Sequence, residues 1–215
     1  MCGKFTQLDW WRKLVAHADF VLGGGAVETV TPMRFADVIR LDENGKRESV
    51  RMRWGFAGLG ATDPTQRPDH IHARAETIDS KPTFRDAFRE RRGLLVVNTF
   101  NEGEDVTPSK TVQHVITPPA PVAIAVLWER WTSRRHGELL TFVMVTTPAN
   151  ALIGTITDRM PAVLTPEDWP AWLGETPATA EDLKALLRPA EGDWTMQPEK
   201  PQPPPKKPAA QMDLF

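Results

Sequence analysis

The chain of 215 residues holds a single cysteine, Cys2, between Met1 and Gly3. Loss of the initiator methionine makes it the N-terminal residue, and an N-terminal cysteine carries two nucleophiles on adjacent carbons. Its α-amine has an ordinary pKa of about 8 and its thiol one of about 8.5. An aldehyde suits this pair: amine attack gives a Schiff base. The neighbouring thiolate then closes onto the imine carbon to form a five-membered thiazolidine, a more durable adduct than the imine. An internal cysteine cannot do this. Position alone leaves the plainer alternative open, because a lone cysteine is commonly a buried small hydrophobe.

A second group of chemically capable residues is His70-Ile71-His72-Ala73-Arg74-Ala75-Glu76-Thr77. Alternation in an extended chain puts His70, His72, Arg74 and Glu76 on one face and Ile71, Ala73 and Ala75 on the other. Such a strand is equally an ordinary edge with a solvated polar face. Two histidines two residues apart are also a metal-ligand spacing, but no further ligand is close in sequence and no metal or cofactor is expected. Downstream, the apolar run Leu94-Leu95-Val96-Val97 reads as a buried strand. It delivers Asn98-Thr99-Phe100-Asn101-Glu102-Gly103 at its end, where polar side chains project from a rigid support.

The elements that must position these residues are legible in outline. Thr6 is placed to cap a helix from about Gln7 to Leu22, with Asp9 at the capping-box position and Gly23-Gly24-Gly25 ending it. Asp37 to Leu41 and Glu48 to Phe56 read as strands joined around Asn44-Gly45, a strong hairpin signal. Ser80 to Arg92 predicts a helix with Pro82 near its first turn and Phe84 and Phe88 facing the core. Val122 to Trp128 and Leu139 to Thr146 are further apolar strands, Pro148 to Ile156 starts a helix, and Thr165-Pro166-Glu167-Asp168 and Thr179-Ala180-Glu181-Asp182 are helix starts. Long strands mixed with short helices, without a repeating strand-helix unit, predict an α+β domain: a mixed, largely antiparallel curved sheet flanked by short helices.

Composition closes several options. One cysteine excludes an intramolecular disulfide and fits a reducing cytosol. No apolar run is long enough to span a bilayer, so a cytoplasmic, nucleoid-associated monomer without a membrane partner is expected. A formal net charge of -2 argues against a general polyanion-binding surface and confines nucleic-acid contact to a local basic patch. The domain is expected over residues 1–196. Residues 197–210, mostly Pro, Lys, Gln and Ala, cannot bury a core and read as a disordered Pro-rich linker. Such a linker reaches on the order of 40 Å when extended. It ends in Gln211-Met212-Asp213-Leu214-Phe215, residues 211–215, three apolar side chains at the tip of a polar tail.

Several blocks, in order, carry a resemblance: Met-Cys-Gly at the start, Met52-Arg53-Trp54-Gly55, His72 to Thr77, Lys81-Pro82-Thr83-Phe84-Arg85, Phe100 with Glu102, Thr147-Pro148-Ala149-Asn150, and Asp158-Arg159-Met160-Pro161. They are similar to the SRAP (SOS-response-associated peptidase, or abasic-site-processing) proteins over roughly residues 1–175. The resemblance implies binding of single-stranded DNA carrying abasic sites and a thiazolidine between Cys2 and the aldehyde of the open sugar. By the same resemblance Cys2 is the nucleophile and Glu102 the acid/base carboxylate. Lys4, Arg74 and Arg159 stand at positions that hold DNA phosphates. The chain also departs from the pattern. His72 stands where the family usually has Asn, and Thr157 where it usually has His. Gly60-Ala61-Thr62-Asp63 replaces Trp-Ala-Lys-Asp, and Asn101 and Gly103 replace the aromatic flanks of the glutamate. His72, with an ordinary pKa of about 6.5, is expected to supply near Cys2 and Glu102 the imidazole absent at Thr157.

The tail resembles the motif that binds the bacterial replication sliding clamp, with Met212, Leu214 and Phe215 as the apolar insert and Gln211 at the pocket rim. Three functions follow: a covalent abasic-site trap recruited to replication through the tail, a non-catalytic DNA- and clamp-associated adaptor, and a peptidase with an N-terminal nucleophile.

Overall fold

The computed structural model describes residues 2–8, 27–58, 61, 70–133 and 137–200. Among them the strands are β1 (Lys4–Leu8), β2 (Val27–Val30), β3 (Phe35–Leu41), β4 (Arg47–Trp54), β5 (His72–Arg74), β6 (Arg92–Val97), β7 (Thr99–Thr107), β8 (Lys110–Thr117), β9 (Val122–Ser133), β10 (Gly137–Pro148), β11 (Arg159–Pro161), β12 (Val163–Leu164) and β13 (Thr195–Pro198). The helices are α1 (Pro82–Glu90), α2 (Trp169–Leu173) and α3 (Ala180–Leu186), with one 3₁₀ turn at Ile153–Thr155. The α+β class holds, but the strands form two sheets. One has the order β13-β8-β7-β1-β2, and the other runs β11-β10-β4-β3-β6-β9-β12, with β5 added to β10. Because β10 pairs with β4 on one side and β9 on the other, the pairings β10–β4–β3–β6–β9–β10 close into a ring. Closure removes the exposed edges that an open sheet of this length would carry.

The ring separates two cores by the period of two along each strand. Leu94 and Val96 of β6, Ala123, Ala125 and Leu127 of β9, and Val143 and Val145 of β10 face the helices. Their neighbours Leu95, Val97, Ile124, Val126, Phe142 and Met144 face a second core shared with Phe5, Val30, Phe100 and Ile116 of the smaller sheet. Cys2 belongs to this second core. On the helix side, Phe84 and Phe88 of α1 are buried as the periodicity predicts. Trp172 Nε1 donates to Gly93 O at 2.9 Å, tying α2 to β6. A Cβ at Gly93 would meet Val38 Cγ1 at 2.8 Å and Ile39 O at 2.9 Å, so only glycine lets β3 and β6 approach this closely.

The expected hairpin is present: Gly45 has φ +74°, and Asp42 Oδ1 accepts from the N–H groups of Asn44 and Lys46 at 2.8 Å each. The start of α3 is a reciprocal capping box between Thr179 and Asp182. Other expectations are corrected. Thr6, Gln7 and Leu8 do not begin a helix. They extend β1, because Gln7 finds buried long-range partners: its Nε2 donates to Asp37 O and Val96 O, and its Oε1 accepts from Asp37 N–H. The remainder of that expected helix lies outside the described residues. Pro148 to Ile156 gives only the 3₁₀ turn, since Asn150 Oδ1 accepts from Ile153 N–H at 2.9 Å and the chain must turn back to pair β11 with β10. The alternating stretch from His70 is strand only over β5, and the chain then turns into α1. The expected helix start at Thr165 to Asp168 is present, with Asp168 as the N-cap of α2. Gln197 and Pro198, expected to open the linker, instead finish β13, held on β8 by pairings from Thr195↔Thr117 to Pro198↔His114.

Candidate active site

Two elements bring the sequence-predicted residues together. Pairing of β1 with β7 sets Lys4 opposite Asn101 and Phe5 opposite Phe100, which carries the segment just before β1 past the start of β7. Cys2 lies there at 1 % exposure, and Glu102, two residues beyond Phe100 on the same face of β7, at 0 %. The Cys2 thiol donates to Lys4 O at 3.4 Å. Burial pushes this thiol far above its usual range and the Glu102 carboxylate raises it further, with the Lys4 and Asn101 backbone only partly offsetting them. The sulfur is therefore a neutral thiol near pH 7.

Glu102 titrates at about 7, raised chiefly by burial, with the Cys2 backbone N–H holding it down and the Asp158 carboxylate adding to the rise. A carboxyl group poised there holds and releases a proton under neutral conditions, as general acid/base work requires.

His72 reaches the same point from the larger sheet. β5 lies on β10 with His72 opposite Met144, and the ring meets Trp54 edge-on at 6.1 Å. Trp54 is fixed by donating Nε1 to Ile71 O at 3.0 Å and by stacking on Phe142 at 6.3 Å. The imidazole donates to the Cys2 backbone, yet burial pushes its pKa down to about 4. This corrects the expectation that His72 exchanges protons near neutrality: it sits beside Cys2 but stays neutral, because the protein around it cannot solvate an imidazolium. Its Nε2 is buried without a hydrogen-bond partner among the described residues. Thr157 follows the 3₁₀ turn, half-buried, with its N–H on Ile153 O at 3.1 Å. Its neighbour Asp158, not Thr157 itself, is the residue of this loop that acts on Glu102.

The cations expected on phosphates behave differently from one another. Arg74 is exposed. Lys4 is half-buried, with its ammonium paired to Glu199 just past β13. Arg159 is buried, with Nη1 and Nη2 on the Glu76 carboxylate at 2.5 and 2.9 Å and Nη2 also donating to Thr146 O at 2.7 Å. Sequence reasoning did not single out Asp158, Glu199, the pairing of Glu76 with Arg159, or the part-buried pair of His114 with Glu104 (Nε2 to Oε2 2.9 Å). For Glu76 the signal was its place in the alternating stretch, and for the others only the fold supplies one. Gly60, Thr62 and the tail residues Gln211, Met212, Leu214 and Phe215 lie outside the described residues.

Relatives are found along most of the chain. The abasic site processing protein YoqW of Bacillus subtilis is 28% identical over 201 residues, covering 90% of this chain and 89% of that protein. The abasic site processing protein YMR114C of Saccharomyces cerevisiae is 23% identical over 166 residues, covering 74% of this chain and 44% of that protein. A crystal structure of a protein from Bordetella bronchiseptica shares the fold with a TM-score of 0.74 at 22% identity, covering 93% of this chain and 100% of that one. The sequence matches the description SOS response associated peptidase (SRAP) over residues 1–200, and the chain therefore belongs to the SRAP family.

Proposed function

We propose that this protein binds single-stranded DNA and captures abasic sites covalently through Cys2 after loss of Met1. The observation that carries the reading is the convergence of Glu102 and His72 on Cys2 inside the core between the two sheets. The names of the relatives, abasic site processing proteins, support the substrate class. In this reading the amine attacks first, because the buried thiol is not ionised. Glu102 takes a proton from the amine and returns one to the departing hydroxyl of the carbinolamine, and the thiol closes the ring last. His72 stays neutral and orients the Cys2 backbone by its hydrogen bond. Arg74 is the exposed cation available to a phosphate. Recruitment to replication runs through Gln211 to Phe215 at the end of the Pro-rich tail, on the strength of the sequence motif.

The test is incubation of purified protein with a single-stranded oligonucleotide carrying one abasic site, followed by denaturing electrophoresis and intact mass. The wild type gives a denaturation-resistant band and a free chain lacking Met1, and Cys2→Ala gives no band. The burial of the thiol and the pairing of Lys4 and Arg159 with carboxylates favour a second reading, a non-catalytic adaptor. A wild type that binds the oligonucleotide without any covalent band would select that reading.

A further inference from the structure

Opposite Glu102, on the neighbouring strand, stands His114: the pairing of β7 with β8 sets the two residues directly across from each other. Directly opposed residues of antiparallel strands share a face, with Cβ atoms about 5 Å apart. Glu104, two residues along β7, is on that face too, and its Oε2 lies 2.9 Å from His114 Nε2. Burial grades along the row. Glu102 is 0 % exposed and His114 9 %, while the Glu104 side chain reaches solvent at 39 %. A carboxylate, an imidazole and a second carboxylate thus run from the interior of the candidate site to water.

We propose that His114, backed by Glu104, is a positioning residue that carries protons between Glu102 and solvent during adduct formation. The inference rests on the Cys2 reading above and assigns a role to a pair outside it. Closing the thiazolidine from an ammonium, a thiol and an aldehyde forms one C–N and one C–S bond and breaks the C=O bond. Water leaves with the oxygen, and one proton is left over for each adduct. Glu102 collects that proton in a site closed to solvent. His114 accepts it as an imidazolium facing the Glu104 carboxylate and passes one proton on to Glu104 and water. Glu102 is left ionised and His114 neutral. The charged groups around the ring are Glu102 and Glu104 from β7 and, past the β13 strand whose Pro198 lies opposite His114, Glu199 with its partner Lys4.

The variant that separates transport from architecture is His114→Gln, since its amide still donates to Glu104 but cannot relay a proton. Adduct formation on an abasic single-stranded oligonucleotide is timed for wild type and variant at about pH 7 across a series of imidazole buffer concentrations. The variant is expected to be about tenfold slower in dilute buffer, a modest share of what acid/base groups contribute. Rising imidazole should restore its rate severalfold while leaving the wild type unmoved. Equal rates for both proteins, or a slowed variant that imidazole does not rescue, would overturn the relay and leave the Cys2 reading standing. A wild type that forms no adduct at all would overturn both.

Discussion

Arg159 closes on Glu76 as a two-pronged ion pair, at 2.5 and 2.9 Å, with the guanidinium buried at the β10–β11 edge and the carboxylate 48 % exposed on its side chain. The partner of this cation is therefore internal. Glu76→Gln strands buried donors of Arg159, and solvent reaching the Glu76 side keeps the cost at the lower part of about 1–3 kcal/mol. The pairing with Arg159 also holds the Glu76 carboxyl below its ordinary 4.5. A depressed carboxyl stabilises the fold fully above about pH 4.5 and loses that contribution as pH falls through its lower folded value. Melting curves should show wild type and Glu76→Gln separated at pH 7 and converging in acid. A gap that persists unchanged in acid would rule the ion pair out as its source.

Glu102 predicts the opposite slope. Its pKa rises from 4.5 to about 7 in the fold, so the folded state binds the extra proton and this contribution is present below pH 4.5 and lost as pH climbs through 7. At about 1.4 kcal/mol per pH unit the full effect is on the order of 3 kcal/mol. Glu102→Gln should therefore melt higher than wild type at pH 8 and no higher at pH 4.5, while losing adduct formation. A variant less stable than wild type at pH 8 would contradict the burial-driven shift.

His72 offers a sharper kinetic test. With its pKa near 4, the ring is neutral throughout the physiological range. The pH–rate profile of His72→Asn between about pH 6 and 8 should match the wild-type profile in shape, since the group that titrates there is Glu102, at about 7, and not the His72 ring. The rate itself should change, because the hydrogen bond to the Cys2 backbone is altered. Loss of a wild-type inflection near pH 6.5 in the variant would show that His72 titrates after all.

The clamp reading proposed for the tail predicts a defect separate from the Cys2 chemistry. Binding of a five-residue segment to the sliding clamp is expected at about micromolar affinity, near 8 kcal/mol, and acts by raising local concentration at replicating DNA. Leu214→Ala with Phe215→Ala should abolish capture on immobilised clamp and leave abasic-site cross-linking in solution intact. Equal capture of both proteins would refute the assignment.

Sequence by itself determined the parts whose physics is local. A single cysteine beside the initiator methionine defined the chemistry to look for, and Asn44-Gly45, Pro82 with Phe84 and Phe88, and Thr179 with Asp182 defined a hairpin and two helices through turn, periodicity and capping rules. The apolar run Leu94 to Val97 was legible as a buried strand, and the fold divides its residues between two cores. Tertiary structure decided what depends on partners far along the chain. Gln7 reads as helix until Asp37 and Val96 offer buried hydrogen bonds, and Lys4 reads as a free cation until β13 brings Glu199 to it. Protonation states belong to the same class. The type of a side chain sets its reference pKa, but only the folded surroundings remove the water that would solvate its charge, which is why Glu102 moves up to about 7 and His72 down to about 4.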